Sequence, residues 1–292
     1  MLRKILIANR GEIAVRIIRA CAEMGIRSVA IYSEADRYSL HIKKADEAYS
    51  LGADPLAGYL NVHRIANLAA TTGCDAVHPG YGFLSENPEL AEACARRGLA
   101  FIGPTADVIR RMGDKTEARE AMHAAGLPVT PGSEGNLSNL EEGLEIADKI
   151  GYPIMLKATS GGGGRGIRRC DNPEDLKKNY ERVISEATKA FGRADVFIEK
   201  CIVNPRHIEV QILADQQGNA IHLFERDCSI QRRNQKLIEI APSPQLDEAE
   251  RQYICGLAVI AAKAVNYTNA GTVEFLQDEN GRFYFMEMNT RV

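Results

Sequence analysis

Pro153-Ile154-Met155-Leu156-Lys157-Ala158-Thr159-Ser160-Gly161-Gly162-Gly163-Gly164-Arg165-Gly166-Ile167-Arg168-Arg169 is the stretch that decides the architecture. An apolar strand-like run ends in a lysine, opens onto a glycine run and resumes as a second strand-like segment over 166–169. Glycine has no Cβ, so such a loop can turn its backbone N–H groups onto an anion without steric cost. Lys157 supplies a point charge beside them and Arg165 a second cation. A polyphosphate is the guest this chemistry suits. Because the lysine precedes the glycines and no Gly-Lys-Ser/Thr follows them, the stretch is not a Walker A loop. The two flanking strands predict a hairpin closing over a nucleotide as a movable lid. A flexible linker is the plain alternative, but linkers rarely separate an Ile-Met-Leu-Lys from an Ile-Arg-Arg.

Upstream of the loop the chain reads as alternating strands and helices. Lys4–Ala8 is a short apolar strand. Glu12–Met24 carries Ile13, Ile17, Ile18 and Cys21 at helical spacing, and Ser28–Tyr32 is a second strand. The rhythm continues through Ala76–His78, a helix near Pro88–Arg97 and Ala100–Ile102, which predicts a parallel sheet covered by helices. Asn9-Arg10-Gly11-Glu12 and His78-Pro79-Gly80-Tyr81-Gly82 both fall at strand carboxyl ends, where open α/β sheets bind ligands. Neither is a Gly-x-Gly-x-x-Gly fingerprint, which argues against a nicotinamide site. Each turn is equally readable as purely structural. After a helical stretch over 116–125, Pro128 and Pro131 lead into Gly132-Ser133-Glu134-Gly135-Asn136, the expected boundary of a smaller module.

Downstream the chain becomes strand-rich. Arg206–Ala214, Ala220–Glu225, Thr272–Gln277 and Arg282–Glu287 read as antiparallel strands, with a helix over Asp247–Val265. The turn Asp278-Glu279-Asn280-Gly281 joins the last two strands and can bring Glu274 and Glu287 to one face. Two carboxylates alone repel, and a shared Mg²⁺ turns that repulsion into binding, with Asn289 as a third oxygen donor. A solvated strand glutamate is the bland reading, but the neighbours Val273, Phe275, Phe285 and Met286 are too apolar for a wet edge. Lys115, Lys157, Lys236 and Arg291 are the candidate cations for a nucleotide and a small oxyanion. Taken singly, such lysines are usually solvated, and His207 is more often a satisfied strand histidine than a catalytic one.

The bulk numbers exclude several classes. The chain has 292 residues, 45% hydrophobic and 26% charged, the composition of an ordinary globular protein of about two domains. A net charge of −3 gives no global attraction to nucleic acid or an anionic membrane. No apolar run approaches membrane-spanning length, and Asn9-Arg10-Gly11-Glu12 interrupts the one stretch that superficially suggests a signal peptide. Seven scattered cysteines contain no Cys-x-x-Cys pair, so neither zinc nor a disulfide framework is indicated, and a reducing cytoplasm is the expected compartment.

Taken together, Ile-Leu-Ile-Ala-Asn-Arg-Gly-Glu-Ile-Ala (5–14), His-Pro-Gly-Tyr-Gly-Phe-Leu-Ser-Glu-Asn (78–87), Met-Gly-Asp-Lys (112–115), the glycine loop, Asn-Pro-Arg-His-Ile-Glu (204–209), Glu-Arg-Asp-Cys-Ser-Ile-Gln-Arg-Arg-Asn-Gln-Lys (225–236) and Glu-Met-Asn-Thr-Arg-Val (287–292) resemble biotin carboxylase, the ATP-grasp component of biotin-dependent carboxylases. The likeness runs in order through the whole chain. The 229–236 wording is most similar to the biotin carboxylase subunit of two-subunit pyruvate carboxylases. The resemblance implies an α/β fold, α+β in its second half. A parallel-sheet, Rossmann-like pre-ATP-grasp domain (1–113) would precede a helical linker (114–131), an ATP-grasp lid (132–202) and a central ATP-grasp part (203–292).

The resemblance also implies roles. Lys115 and Lys157 match lysines that hold nucleotide phosphates, under a loop containing Gly162, Gly163, Gly164, Arg165 and Gly166. Glu199, Lys200 and Ile202 match the hinge that meets adenine. His207, Gln231 and Asn234 match the ATP side of the site, the first two around the ribose and inner phosphates. Glu274, Glu287 and Asn289 match the ligands of Mg²⁺ or Mn²⁺, and Lys236 and Arg291 match groups that hold bicarbonate and the carboxylation intermediate. The implied reaction forms carboxyphosphate from bicarbonate and ATP and passes its CO₂ to a biotin on a carrier protein. A carboxyltransferase subunit and a homodimer are the implied partners, with no nucleic acid and no membrane.

Three departures bear on these expectations. Asn234 stands where many relatives have histidine, which keeps amide hydrogen bonds but removes a proton carrier. Four glycines follow Ser160 where relatives often have five. Relatives continue past 292 with Gln-Val-Glu-His and a further domain, so the chain is expected to lack a C-terminal part and, isolated, to bind Mg-ATP weakly and carboxylate biotin poorly or not at all. The competing readings are another ATP-grasp ligase, such as one making carbamoyl phosphate, and a nucleotide-binding module without turnover.

Overall fold

The computed structural model describes residues 2–159, 166–192, 195–232 and 235–290. Its first third follows the alternation of the sequence: β1 (Lys4–Ile7), α1 (Gly11–Glu23), β2 (Arg27–Tyr32), α2 (Leu40–Lys44), β3 (Glu47–Ser50), α3 (Val62–Thr71), β4 (Ala76–His78), α4 (Pro88–Ala95) and β5 (Ala100–Phe101). The five strands form one parallel sheet in the order β3-β2-β1-β4-β5. Successive residues of a strand face opposite ways, and β1 uses both faces. Leu6 and Ala8 pack with Ile65, Leu90 and Cys94 beneath α3 and α4, whereas Ile5 and Ile7 pack with Ala14, Ile17 and Ile18 of α1. Strand order reverses between β1 and β4, the position where a doubly wound sheet opens a crevice at its carboxyl edge. There Asn9 donates from Nδ2 to the carbonyls of Pro79 and Tyr81, both at 2.8 Å. Gly80 has φ +67°, and a Cβ on it would stand 2.7 Å from Asn9 Nδ2.

Two short helices follow, α5 (Ala106–Gly113) and α6 (Lys115–Ala124). Asp114 caps α6 by accepting from the amides of Thr116 and Glu117. Val108, Met112, Ala118 and Met122 are buried in one core with Ile208, Val210, Val273, Phe275 and Phe285. α6, over the expected linker, and α5, at the end of the expected first domain, are therefore both packed into the antiparallel part of the molecule.

A small three-stranded sheet comes next, built from α7 (Leu140–Ile150), β6 (Ile154–Ala158), β7 (Ile167–Cys170), α8 (Pro173–Phe191) and β8 (Val196–Lys200). Its order is β7-β6-β8, antiparallel throughout. Ile154, Leu156 and Ala158 pack with Leu176, Tyr180, Val183 and Ile198. By alternation Met155 and Lys157 share the other face of β6. Gly166, at φ +69°, lets the second strand return so close that an added Cβ would lie 2.9 Å from that of Ala158.

The remainder is a five-stranded antiparallel sheet from β9 (Arg206–Ala214), β10 (Ala220–Arg232), β11 (Gln235–Ile240), β12 (Asn269–Gln277) and β13 (Phe283–Asn289), backed by α9 (Glu248–Ala264). Its order is β11-β10-β9-β12-β13. β10 runs seven residues past the strand expected to end at Glu225, and β11 pairs with that extension. A strap over 128–133 joins the two antiparallel sheets. Val129 bridges to Phe285 of β13, and Gly132 bridges to Glu199 of β8. Among the described residues no helix is long and apolar enough to cross a membrane.

Candidate active site

β9 sets out His207, Glu209 and Gln211 at every second position, so they share one face. β12 places Glu274 directly opposite Glu209, and β13 places Glu287 directly opposite Glu274. This last pairing depends on an irregularity between Glu274 and Phe275: Phe275 pairs with Phe285, and the next pair is Glu274 with Glu287, so Met286 is bulged out.

Glu274 is almost completely buried, with a side-chain exposure of 2%. Its Oε1 accepts from Lys236 Nζ at 2.7 Å and from Asn289 Nδ2 at 2.6 Å, and its Oε2 contacts His207 Nε2. Gln231 Nε2 donates to His207 Nδ1 at 2.7 Å, which makes Nε2 the protonated nitrogen facing the carboxylate. Burial would raise the Glu274 pKa, but the His207 hydrogen bond and the Lys236 charge overcome it and hold the carboxyl at about 2. Lys236 also contacts Glu209, which Arg226 grips through Nε at 2.6 Å. Burial alone would lower the Lys236 pKa, and Glu274 and Glu209 reverse it, so the net shift is upward.

Glu287 is in the opposite condition. Among the described residues no hydrogen bond or ion pair reaches its carboxylate, and burial followed by the neighbouring Glu274 charge pushes its pKa up. A half-buried carboxylate with no partner among the described residues, beside a second carboxylate and an amide, is a donor set suited to a hard divalent cation such as Mg²⁺ or Mn²⁺. Glu209, Cys228 and Glu239 also converge closely enough for a metal. That cluster does not fit one, because Lys236 and Arg226 already neutralise Glu209 and burial pushes the Cys228 thiol up to about 12.

On the far side of Glu287 lie the lysines from the earlier elements. Lys115 opens α6, and its pKa is lowered chiefly by burial, with Glu287, Lys157 and Glu199 all within its field. Lys157 Nζ contacts Glu199 Oε1, while Thr130 Oγ1 donates to Glu199 Oε2 at 3.1 Å. Lys200, the next residue, points to the other face of β8, where its ammonium donates to the carbonyls of Gly151 and Tyr152 at 2.9 and 3.0 Å. Ile202 is half-buried in the turn after β8. Gly162, Gly163, Gly164, Arg165, Asn234 and Arg291 lie outside the described residues.

Beside Lys236 a cleft of about 380 Å³ separates the five-stranded antiparallel sheet from the β4–α4 turn, with His78, Tyr81, Glu209, Arg226 and Lys236 among its walls. His78 accepts from the Gly80 amide through Nδ1 at 3.1 Å, and burial pushes its pKa down to about 4, so it is neutral. Glu209 and Arg226 escaped the sequence reading, although the two-residue spacing from His207 to Glu209 to Gln211 carried the signal for the first. The structure thus brings Lys115, Lys157, Glu199 and Glu287 together on one side, and Lys236, His207, Gln231 and Glu209 on the other. Glu274 and Glu287 join the two groups.

Comparison with known proteins agrees with this fold. Residues 1–109 match the family model described as biotin carboxylase, N-terminal domain, and residues 114–292 match that of the carbamoyl-phosphate synthase L chain, ATP binding domain. The chain is 57% identical to the 2-oxoglutarate carboxylase small subunit of Hydrogenobacter thermophilus over 100% of its own length and 62% of the relative's. It is 58% identical to the biotin carboxylase of a Nostoc species, over 99% of its own length and 65% of that protein's. It thus spans somewhat under two thirds of the length of these curated relatives. A crystal structure of biotin carboxylase from Campylobacter jejuni in complex with β-γ-ATP superposes with a TM-score of 0.98 at 49% identity, covering 100% of this chain and 66% of that one. The biotin carboxylase domain dimer of the Hydrogenobacter 2-oxoglutarate carboxylase, crystallised with MgADP, ADP and bicarbonate, gives 0.96 at 57% identity, covering 100% and 64%. With its parallel-sheet domain, its ATP-grasp sheets and these matches along its whole length, the chain belongs to the biotin carboxylase family of ATP-grasp ligases.

Proposed function

We propose that the protein carboxylates biotin on a carrier protein, using ATP and bicarbonate, as the first half-reaction of a pyruvate, 2-oxoglutarate or acyl-CoA carboxylase. One observation carries this reading: two paired carboxylates, the buried Glu274 and the half-buried Glu287, stand with the cleft-lining Lys236 on the first and with Lys115 and Lys157 in the field of the second. Lys115 and Lys157 bind the outer phosphates of ATP, beneath the loop that includes Gly162, Gly163, Gly164, Arg165 and Gly166. Glu199, Lys200 and Ile202 form the hinge segment beside the adenine. Glu274, Glu287 and Asn289 hold Mg²⁺ or Mn²⁺, which supplies charge neutralisation on the phosphates when bound. His207, fixed by Gln231, orients Glu274.

Lys236, with Arg291, holds bicarbonate in the cleft. A bicarbonate oxygen attacks the γ-phosphorus, the bond to ADP breaks, and carboxyphosphate forms. Carboxyphosphate then breaks down to CO₂ and phosphate, the released phosphate takes the proton of biotin N1, and N1 captures the CO₂. Positioning and charge are what such phosphoryl transfer requires of a protein. Neutral His78 and the Tyr81 ring form the wall where biotin approaches. The further partners in this reading are a carboxyl carrier, a carboxyltransferase and a second copy of the chain. Seven buried free thiols favour a reducing compartment.

The deciding experiment is an ADP-release assay with free biotin or ammonia as acceptor. Bicarbonate-dependent release stimulated by biotin supports the reading. Stimulation by ammonia instead would favour carbamoyl phosphate synthesis, and tight Mg-ATP binding without turnover a nucleotide-binding module.

A further inference from the structure

Asn136 lies on the turn that follows the strap, outside every element named above, yet it touches both lysine-bearing segments. Thr159 Oγ1 donates to its Oδ1 at 2.5 Å, and Thr116 Oγ1 donates to the same oxygen at 3.2 Å. Thr159 is completely buried and lies two residues beyond Lys157, just past the end of β6, where its amide donates to the Asp195 carbonyl at 3.0 Å. Thr116 follows Lys115 in the first turn of α6. The turn itself is held in shape: Ser133 Oγ donates to the Gly135 carbonyl at 2.8 Å, and Gly135 takes φ +88° against α6. One amide oxygen on a fixed turn therefore ties the end of β6 to the start of α6.

We infer that Asn136 is a positioning residue, which fixes the separation of Lys115 and Lys157 and so shapes the site for a triphosphate before it binds. The inference rests on the proposed phosphate role of the two lysines. Two like charges repel, and without a tie the flexible side chains and the end of β6 would drift apart. Holding them in place removes an ordering cost from the binding step. Lys115 and Lys157 do sense one another and share the field of Glu199.

The test is calorimetric titration of the protein with Mg-ATP. Asn136→Ala and Thr159→Val should each weaken binding about fivefold, the effect of one ordinary hydrogen bond, and Thr159→Ser, which keeps the donor, should bind as the unsubstituted protein does. Combining Asn136→Ala with Thr159→Val should weaken binding no further than either change alone. In turnover, the KM for ATP should rise by the same factor, with kcat and the KM for bicarbonate unchanged. Unchanged affinity in the variants, or losses that simply add, overturns the role while leaving the phosphate site intact. Failure of the unsubstituted protein to bind Mg-ATP overturns the phosphate site first and this role with it.

Discussion

Glu287 faces Glu274 one residue beyond the register that their connecting turn sets. Phe283, Tyr284 and Phe285 pair in step with Gln277, Leu276 and Phe275, and regular pairing would next put Met286 opposite Glu274. Bulging Met286 out turns Phe285 into the core and Glu287 towards the lysines, although the two residues are only two apart. The chain thereby sets a carboxylate with no partner among the described residues next to a paired one. Raised by burial, Glu287 favours folding in its protonated form, so the metal-free protein loses stability as pH rises from the ordinary glutamate value of 4.5 through the raised one. Glu287→Gln should therefore raise the metal-free melting temperature at neutral pH by about 2–4 °C. The same substitution should abolish the stabilisation seen on adding Mg²⁺ with nucleotide. A scan showing undiminished Mg²⁺-dependent stabilisation in the variant removes Glu287 from the metal site.

Glu274 should show the opposite pH dependence. Its carboxyl is held at about 2, below its ordinary 4.5, so its contribution is complete above 4.5 and disappears as pH falls towards 2. Glu274→Gln takes one of its two carboxylates from Lys236 and the carboxylate contact from His207, and should cost about 3 kcal/mol in urea unfolding at pH 7. The gap between variant and unsubstituted protein should narrow steadily on acidification. A gap independent of pH contradicts the ion-pair account.

Lys157→Ala should weaken Mg-ATP binding at least about tenfold by removing a charge-assisted phosphate contact. It also leaves Glu199 with Thr130 alone among the partners described. Equal affinity by calorimetry would take the lysine out of the site.

Gly166→Ala tests the closeness of β6 and β7. The new methyl would meet Ala158 Cβ at 2.9 Å in a backbone region that L-residues avoid. A loss of about 1–3 kcal/mol in unfolding free energy is expected, together with weaker Mg-ATP binding. Neutral behaviour in both measurements would show that the strands can separate without consequence.

Much of this was legible in the sequence because it rests on local periodicity. The apolar run at Lys4–Ala8 and the helical spacing of Ile13, Ile17, Ile18 and Cys21 gave the parallel domain. Turn chemistry at Asp278–Gly281 gave the hairpin, where the Asp278 side chain accepts from the amides of Asn280 and Arg282. What the sequence concealed depends on register and on distant partners. The Met286 bulge has no glycine to announce it, and the spacing of Phe285 from Glu287 suggests one shared face. β11 escaped notice because Leu237, Ile238 and Ile240 are exposed rather than alternating between core and solvent. Lys200 carries no local sign that it would fasten the carbonyls of Gly151 and Tyr152. Arg226 finds Glu209 only because β9 and β10 are neighbours.

The strap from Pro128 to Ser133 has a mechanical consequence. Phe285 N–H donates to the Pro128 carbonyl at 2.7 Å at one end, and Lys200 N–H donates to that of Pro131 at 2.7 Å at the other. A tether this short, anchored to both sheets, forbids sliding and leaves rotation as the cheap degree of freedom. Its natural pivot is the Thr130–Pro131 junction, beside Glu199, and any swing of the three-stranded sheet about it would have to break the Thr159–Asn136–Thr116 link before it could carry Lys157 away from Lys115.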